Sequence, residues 1–202
     1  MSFDADVAII DSGGANLASL RYALERLGAS SIVSSDAAVI ARSPRVLLPG
    51  VGAAGNAMQR LRAQGMDTLI PRLTAPLLGI CLGMQLLFAH SAEGDTPCLG
   101  VLDGAVERLR SQPGRPVPHM GWNTLDVHDP DPLLDGLAAA DHVYFVHSYA
   151  VPPGPSTLAA TDYGGPLSAV VRRANFYGVQ FHPERSSQAG ARILRNFLLL
   201  AP

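Results

Sequence analysis

Pro76-Leu77-Leu78-Gly79-Ile80-Cys81-Leu82-Gly83-Met84-Gln85 is the stretch on which the reading of this chain turns. An apolar run ends in Gly-x-Cys-x-Gly, and Leu82 to Phe88 continues with helical spacing. The pattern is a buried strand that bends sharply into a helix with a cysteine at the bend, the cysteine version of a nucleophile elbow. Such a turn holds the nucleophile in a strained backbone conformation. Side chains two residues to either side would collide, so Gly79 and Gly83 stand there. The thiol then sits at a helix N-terminus, whose positive dipole end favours thiolate. The backbone N–H of Leu82 points toward a carbonyl under attack, where it stabilises an oxyanion. The competing reading is a buried structural cysteine ahead of a glycine turn. Cys98, in Pro97-Cys98-Leu99-Gly100, has no elbow and takes that plainer reading.

Strand–turn–helix alternation recurs upstream. Val7-Ala8-Ile9-Ile10 ends in Asp11-Ser12-Gly13-Gly14, and Leu17, Leu20, Tyr22, Ala23 and Leu27 follow near helical spacing. Ser31-Ile32-Val33 is a second strand. Val46-Leu47-Leu48 runs into Pro49-Gly50-Val51-Gly52, ahead of a helix from Ala54 to Ala63. Alternation of this kind implies right-handed crossovers and an α/β fold with a mostly parallel central sheet flanked by helices. Downstream, the segments Gly104–Leu109, Asn123–Val127, Val143–Val146, Thr157–Thr161, Ser168–Arg172 and Asn175–Phe181 are short and bounded by turn residues. They read as strands, several of them antiparallel. Pro113, Pro116 and Pro118 mark an extended loop, and Gln188 to Leu200 reads as a closing helix. Residues 1–202 read as a single domain.

Composition excludes several classes of function. Of 202 residues, 48% are hydrophobic and 16% charged, enough for a sizeable core and too apolar for disorder. A net charge of −2 leaves no electrostatic footprint for nucleic acid or an anionic membrane. All 15 basic residues are Arg. Two cysteines make no disulfide framework, and no Cys/His cluster has zinc-ligand spacing. The first residues carry neither the basic segment nor the apolar run of a signal peptide, and no apolar run approaches a membrane span. A reducing, cytoplasmic setting is expected.

A second chemical signal lies far down the chain in Phe181-His182-Pro183-Glu184. In extended backbone alternate side chains share a face, so His182 and Glu184 are expected to point the same way, with Pro183 keeping His182 extended. An imidazole there takes the proton of Cys81, and the carboxylate fixes the ring and stabilises its charged form. Alone, His-x-Glu is weak. Beside the elbow it makes a Cys81–His182–Glu184 triad.

Gly79-Ile80-Cys81-Leu82-Gly83-Met84-Gln85 together with His182-Pro183-Glu184 resembles the class I glutamine amidotransferases, over nearly the whole chain. Pro49-Gly50-Val51-Gly52 resembles the family's oxyanion strand. The resemblance implies a glutaminase: Cys81 attacks the side-chain amide, and His182 protonates the departing ammonia. Val51 and Leu82 form the oxyanion hole, and Gly50, Gly52, Gln85, Ser148 and Tyr149 bind glutamine. No metal or organic cofactor is implied.

The start Ile10-Asp11-Ser12-Gly13-Gly14-Ala15-Asn16-Leu17, Val51 in place of a third glycine, and Pro118-His119-Met120-Gly121-Trp122-Asn123 narrow the resemblance. They match the branch that forms a heterodimer with a (β/α)₈-barrel cyclase in histidine biosynthesis and hands it ammonia. Asn16, Met120, Trp122, Asn123 and Arg185 are then the expected partner contacts, around the mouth of the Cys81 pocket. Ser12 stands where the family often has Tyr, and Arg185 where Lys is usual, which is not a neutral exchange at a specific ion pair. The rivals are a class I glutaminase serving another acceptor, a regulatory subunit without catalysis, and a cysteine hydrolase acting on peptides or small electrophiles. The resemblance also suggests low activity until the partner engages. The Gly50–Val51 peptide is a natural switch, and the resting chain is expected to turn the Val51 N–H away from Cys81.

Overall fold

The computed structural model describes residues 5–12 and 17–201. Its main sheet begins with β1 (Val7–Ile10), β2 (Ser31–Ser34), β3 (Val46–Gly50) and β4 (Leu77–Cys81). The expected helices follow β1 and β3, as α1 (Leu17–Arg26) and α3 (Ala54–Ala63), and the structure adds the short α2 (Ala37–Ala41) after β2 and α4 (Met66–Leu69) after α3. After β4 comes α5 (Leu82–Leu86).

The remaining strands are β5 (Phe88–Ser91), β6 (Thr96–Pro97), β7 (Leu102–Arg108), β8 (His119–Thr124), β9 (Asp126–Val127), β10 (His142–His147), β11 (Tyr149–Ala150), β12 (Thr157–Asp162), β13 (Pro166–Arg173) and β14 (Phe176–Val179). Helix α6 (Ser187–Leu199) closes the chain. The main sheet runs β2-β1-β3-β4-β14-β13-β12-β9. Pairing is parallel from β2 to β14 and antiparallel from β14 to β9. The mostly parallel centre with antiparallel strands beyond it agrees with the expectation from sequence.

Strand alternation explains the two cores. In β1, Val7 and Ile9 face one way, with Leu20 and Leu24 of α1 and Ile193, Leu194 and Phe197 of α6. Ala8 and Ile10 face the other, with Met58 and Leu61 of α3, Met66, and Leu86 of α5. Leu47 joins the first core, and Val46 and Leu48 the second. Strands covered on both faces need apolar residues on both, which is why these runs are continuous and not alternating.

Two expectations change. The helix after Cys81 stops at Leu86, and Phe88 opens β5, which pairs with β7. The reason lies in the last carbonyls. Leu99 N–H donates to Leu86 O, and Val101 and Leu102 N–H both donate to Leu87 O, so a crossing segment satisfies the groups that another turn would have used. The strand expected over Asn123–Val127 begins earlier, at His119, because His119 to Thr124 pairs residue for residue with β10. Among the described residues no helix is long and apolar enough to cross a membrane, and no group of three or more His, Cys, Asp or Glu side chains is arranged to hold a metal.

Candidate active site

Strand β4 ends at Cys81, and its neighbour β14 runs parallel to it with Val179 opposite Ile80. Both strands therefore release their chains at the same edge of the sheet. Cys81 leaves from one and Gln180-Phe181-His182 from the other, and this adjacency brings together residues far apart in sequence.

Cys81 has φ 55° and ψ −111°, a region that L residues rarely adopt. Such strain costs on the order of 1–3 kcal/mol and is held only by tight surroundings. The glycines of the elbow supply them. A Cβ on Gly79 would lie 2.7 Å from the Gly83 carbonyl carbon, and one on Gly83 would lie 1.7 Å from the Leu48 oxygen in β3. The close approach expected at this pentapeptide is real, and it also clamps α5 against the neighbouring strand. The Cys81 side chain is buried, with its sulfur 3.9 Å from the Val146 carbonyl oxygen and 3.8 Å from Gln180 Nε2.

His182 keeps an extended backbone, and its N–H donates to Tyr144 O of β10. The extended chain ends there. Pro183–Arg185 is a 3₁₀ turn, so Glu184 reaches His182 by a tight turn and not by strand alternation as expected. The result is the same contact, His182 Nδ1 to Glu184 Oε1 at 2.9 Å, with both side chains about nine-tenths buried. Nε2 is left for the Cys81 sulfur. Ser186 Oγ donates to His182 O and accepts from Tyr144 N–H, tying this turn to β10. Burial opposes a charge on the ring. The hydrogen bonds and charges of Cys81 and Glu184 outweigh it and push the imidazole up to about 10.

That balance has a measurable consequence. His182 starts from an ordinary 6.5, so its raised value stabilises the fold fully below 6.5, and the contribution is lost as pH rises through about 10. Glu184→Gln removes the opposing charge. The imidazole titration, followed by NMR, is expected to move down toward 6.5, and the variant should lose stability relative to the parent mainly below the upper of these two values. An unmoved titration would mean that Glu184 does not hold the proton on His182.

The two residues open into a cavity of about 450 Å³ lined by Gly50, Val51, Gly52, Cys81, Leu82, Gln85, Ser148, Tyr149, His182, Glu184 and Arg185. All the residues read from sequence as catalytic, oxyanion or substrate-binding line it. Val51 keeps a negative φ, and the left-handed residue of its loop is Gly52 at +88°. A Cβ on Gly50 would press within 2.8 Å of Gly83 N, so this loop rides directly on the elbow. Ser12, buried, donates its hydroxyl to Pro49 O at 2.8 Å and steadies the same loop.

The structure adds Glu93 to the lining, a residue no sequence motif singles out. Its Oε2 accepts from Ala54 N–H at 2.8 Å, beside the Gly50–Gly52 loop. Only the pairing of the β5–β6 hairpin carries it there.

The expected partner contacts divide. Arg185 lines the cavity, and its guanidinium sits 4.3 Å over the Tyr144 ring. Trp122 meets Tyr144 edge-on at 5.8 Å. Trp122 and Met120 are 53% and 61% exposed, so neither is a core residue. They do not line the cavity but share the outer face of the β8–β10 ribbon next to it. Asn123 has the opposite parity on the strand. Its Nδ2 donates to Asp162 O, and its Oδ1 accepts from Thr124 N–H, so it stitches the chain to itself. Asn16 lies outside the described residues.

Residues 8–201 match the model of the glutamine amidotransferase class-I family. The chain is 56% identical over 193 residues to the imidazole glycerol phosphate synthase subunit HisH of Xanthomonas axonopodis pv. citri, covering 96% of each. It is 55% identical to the protein of the same name from Xylella fastidiosa strain Temecula1, again covering 96% of each. Among solved structures it resembles one described as a glutamine amidotransferase, at TM-score 0.74 and 23% identity over 95% of this chain and 96% of that one. It also resembles a chain of PurLQS from Thermotoga maritima, at TM-score 0.70 and 19% identity over 95% of this chain and 96% of that one.

Proposed function

The chain belongs to the glutamine amidotransferase class-I family, and we propose that within it the chain is the cytoplasmic glutaminase subunit of an imidazole glycerol phosphate synthase. The observation that carries the chemistry is the line Cys81–His182–Glu184, with His182 hydrogen-bonded to a buried carboxylate beside a cavity of about 450 Å³.

In this reading the Cys81 sulfur attacks the side-chain carbonyl carbon of glutamine, and the proton that the thiol gives up resides on His182. The negative charge on the carbonyl oxygen is met by the N–H groups of Leu82 and Val51. His182 passes its proton to the nitrogen as the C–N bond breaks, and ammonia leaves. His182, now neutral, takes a proton from water, whose oxygen attacks the thioester and releases glutamate. Glu184 is engaged by His182, so Glu93 is the carboxylate at the cavity placed to face the α-ammonium of glutamine. Gly50, Gly52, Gln85, Ser148 and Tyr149 supply the remaining contacts.

Ammonia is useful only if it reaches an acceptor before bulk water. The reading therefore needs a partner over the cavity mouth, a (β/α)₈-barrel cyclase that joins ammonia to a ribonucleotide. Exposed Met120 and Trp122 and the Trp122–Tyr144–Arg185 cluster supply the docking surface, with an aromatic and arginine composition suited to an interface core. Trp122→Ala is expected to weaken assembly with the cyclase by more than about 1 kcal/mol, measured by titration calorimetry. Unchanged affinity and unchanged coupling would remove Trp122 from the interface. The function itself is tested by glutamate release from glutamine with and without the cyclase and its ribonucleotide. Stimulation by a different acceptor enzyme and not by the cyclase would favour the rival amidotransferase.

A further inference from the structure

A buried chain of polar groups runs from β8 to the nucleophile, and one backbone carbonyl fixes the direction of every hydrogen bond in it. Tyr149 O can only accept. Gln85 is 4% exposed and places Nε2 2.8 Å from that oxygen, so its amide is oriented with nitrogen toward Tyr149. The same Nε2 lies 3.0 Å from the Gln180 side chain, which must therefore present Oε1 to it. Gln180, fully buried, then has its Nε2 turned toward the Cys81 sulfur at 3.8 Å. On the other side, His147 Nδ1 lies 2.9 Å from the same Tyr149 oxygen and must donate. Its Nε2 is then the acceptor for His119 Nδ1 at 3.0 Å. His119 is stacked between Phe145 and Tyr163. Burial pushes both imidazoles down to about 4, so the pair stays neutral and keeps this single arrangement at physiological pH.

We propose that Gln180 is a positioning residue of the glutaminase site. Its amide N–H faces the Cys81 sulfur, and its carbonyl holds Gln85 with Oε1 free toward the cavity, to accept from the carboxamide NH₂ of bound glutamine. The proposal rests on the glutaminase reading for the substrate, but the contact with Cys81 stands apart from it. Gln180 touches no substrate. It acts by giving the sulfur an N–H donor in addition to His182 and by preventing the Gln85 amide from turning over. A turned Gln85 would aim an N–H₂ group at an N–H₂ group and refuse the substrate.

The test compares the parent chain with Gln180→Met, which keeps length and loses both polar atoms, and Gln180→Glu, which keeps an acceptor for Gln85 but replaces the donor. The first readout is the rate of iodoacetamide labelling at Cys81 against pH, followed by mass spectrometry of the peptide. The second is glutamate release by the chain in complex with its cyclase. Loss of a hydrogen bond to a charged group predicts labelling at neutral pH slowed about tenfold in both variants, with the midpoint of the labelling curve displaced to higher pH. Glutamine turnover should fall about ten- to a hundredfold in both. The KM for glutamine should rise in Gln180→Met and stay near the parent value in Gln180→Glu, a split that a merely structural role would not produce. A folded Gln180→Met with an unmoved labelling curve overturns the proposal, and if Met does not fold, an unmoved curve in Gln180→Glu does so equally. A parent complex that labels normally but releases no glutamate would overturn the glutaminase reading, while the labelling curves would still decide the contact with Cys81.

Discussion

Cys81→Ala is expected to abolish glutamine-dependent synthesis by the assembled enzyme while leaving synthesis from free ammonia intact. The sulfur forms the covalent intermediate, and among the described residues no second thiol lines the cavity. Removing the nucleophile of a triad lowers turnover by on the order of a millionfold, which puts residual glutamate release below detection. Alanine is smaller than cysteine, and the site is a rigid turn, so the fold and the docking face should be preserved. The measurement pairs glutamate release with product formation at saturating ammonium. If both activities vanished while the complex still formed, the division of labour between glutaminase and cyclase would be wrong.

The second large effect falls on stability. Gly83→Ala places a methyl carbon 1.7 Å from Leu48 O and 2.8 Å from Leu48 C, and both atoms belong to a central strand bonded on each side. Neither can retreat without breaking the pairing of β3. Overpacking against side chains typically costs about 1–3 kcal/mol, and against fixed backbone we expect about 3 kcal/mol or more. For a chain of this size that corresponds to a drop in Tm of roughly 10 °C, read by calorimetry or denaturant titration. A variant within about 1 kcal/mol of the parent would show that α5 can slide away from β3, contrary to the clamp inferred at the elbow.

What is legible in the sequence follows from the range of the forces involved. Gly79 and Cys81 are readable because the constraint is local: a Cβ on Gly79 would meet Gly83 and Met84 of the same turn, whereas Gly83, legible from the pentapeptide pattern, is held to glycine by Leu48 of β3. The continuous apolar runs of β1, β3 and β4 are readable because a strand covered on both faces has no polar side to show. The length of α5 is not, because its end is set by hydrogen bonds from residues 99–102 to Leu86 and Leu87. Glu93 and Gln180 escape sequence reasoning for the same reason. Each is an ordinary residue in its own neighbourhood and acquires a role only through β5–β6 pairing in one case and β14 in the other. Asn123 belongs to a motif that reads as one block of contacts, but a strand alternates and turns every second residue the other way, which takes Asn123 away from Met120 and Trp122 and into the chain's own hydrogen bonding.

The position of β14 between β4 and β13 bears on how the chain must be made. Until residue 179 has been synthesised, β4 has a partner on one side only, and an apolar Leu-Leu-Gly-Ile edge lies open beside a bare thiol. Such an edge is a template for pairing with other chains. Translation that stops between β4 and β14 is therefore expected to leave an aggregation-prone fragment and not a slow enzyme. Catalysis depends on the same insertion, because the strand that enters the middle of the sheet also delivers His182 to the edge where Cys81 stands.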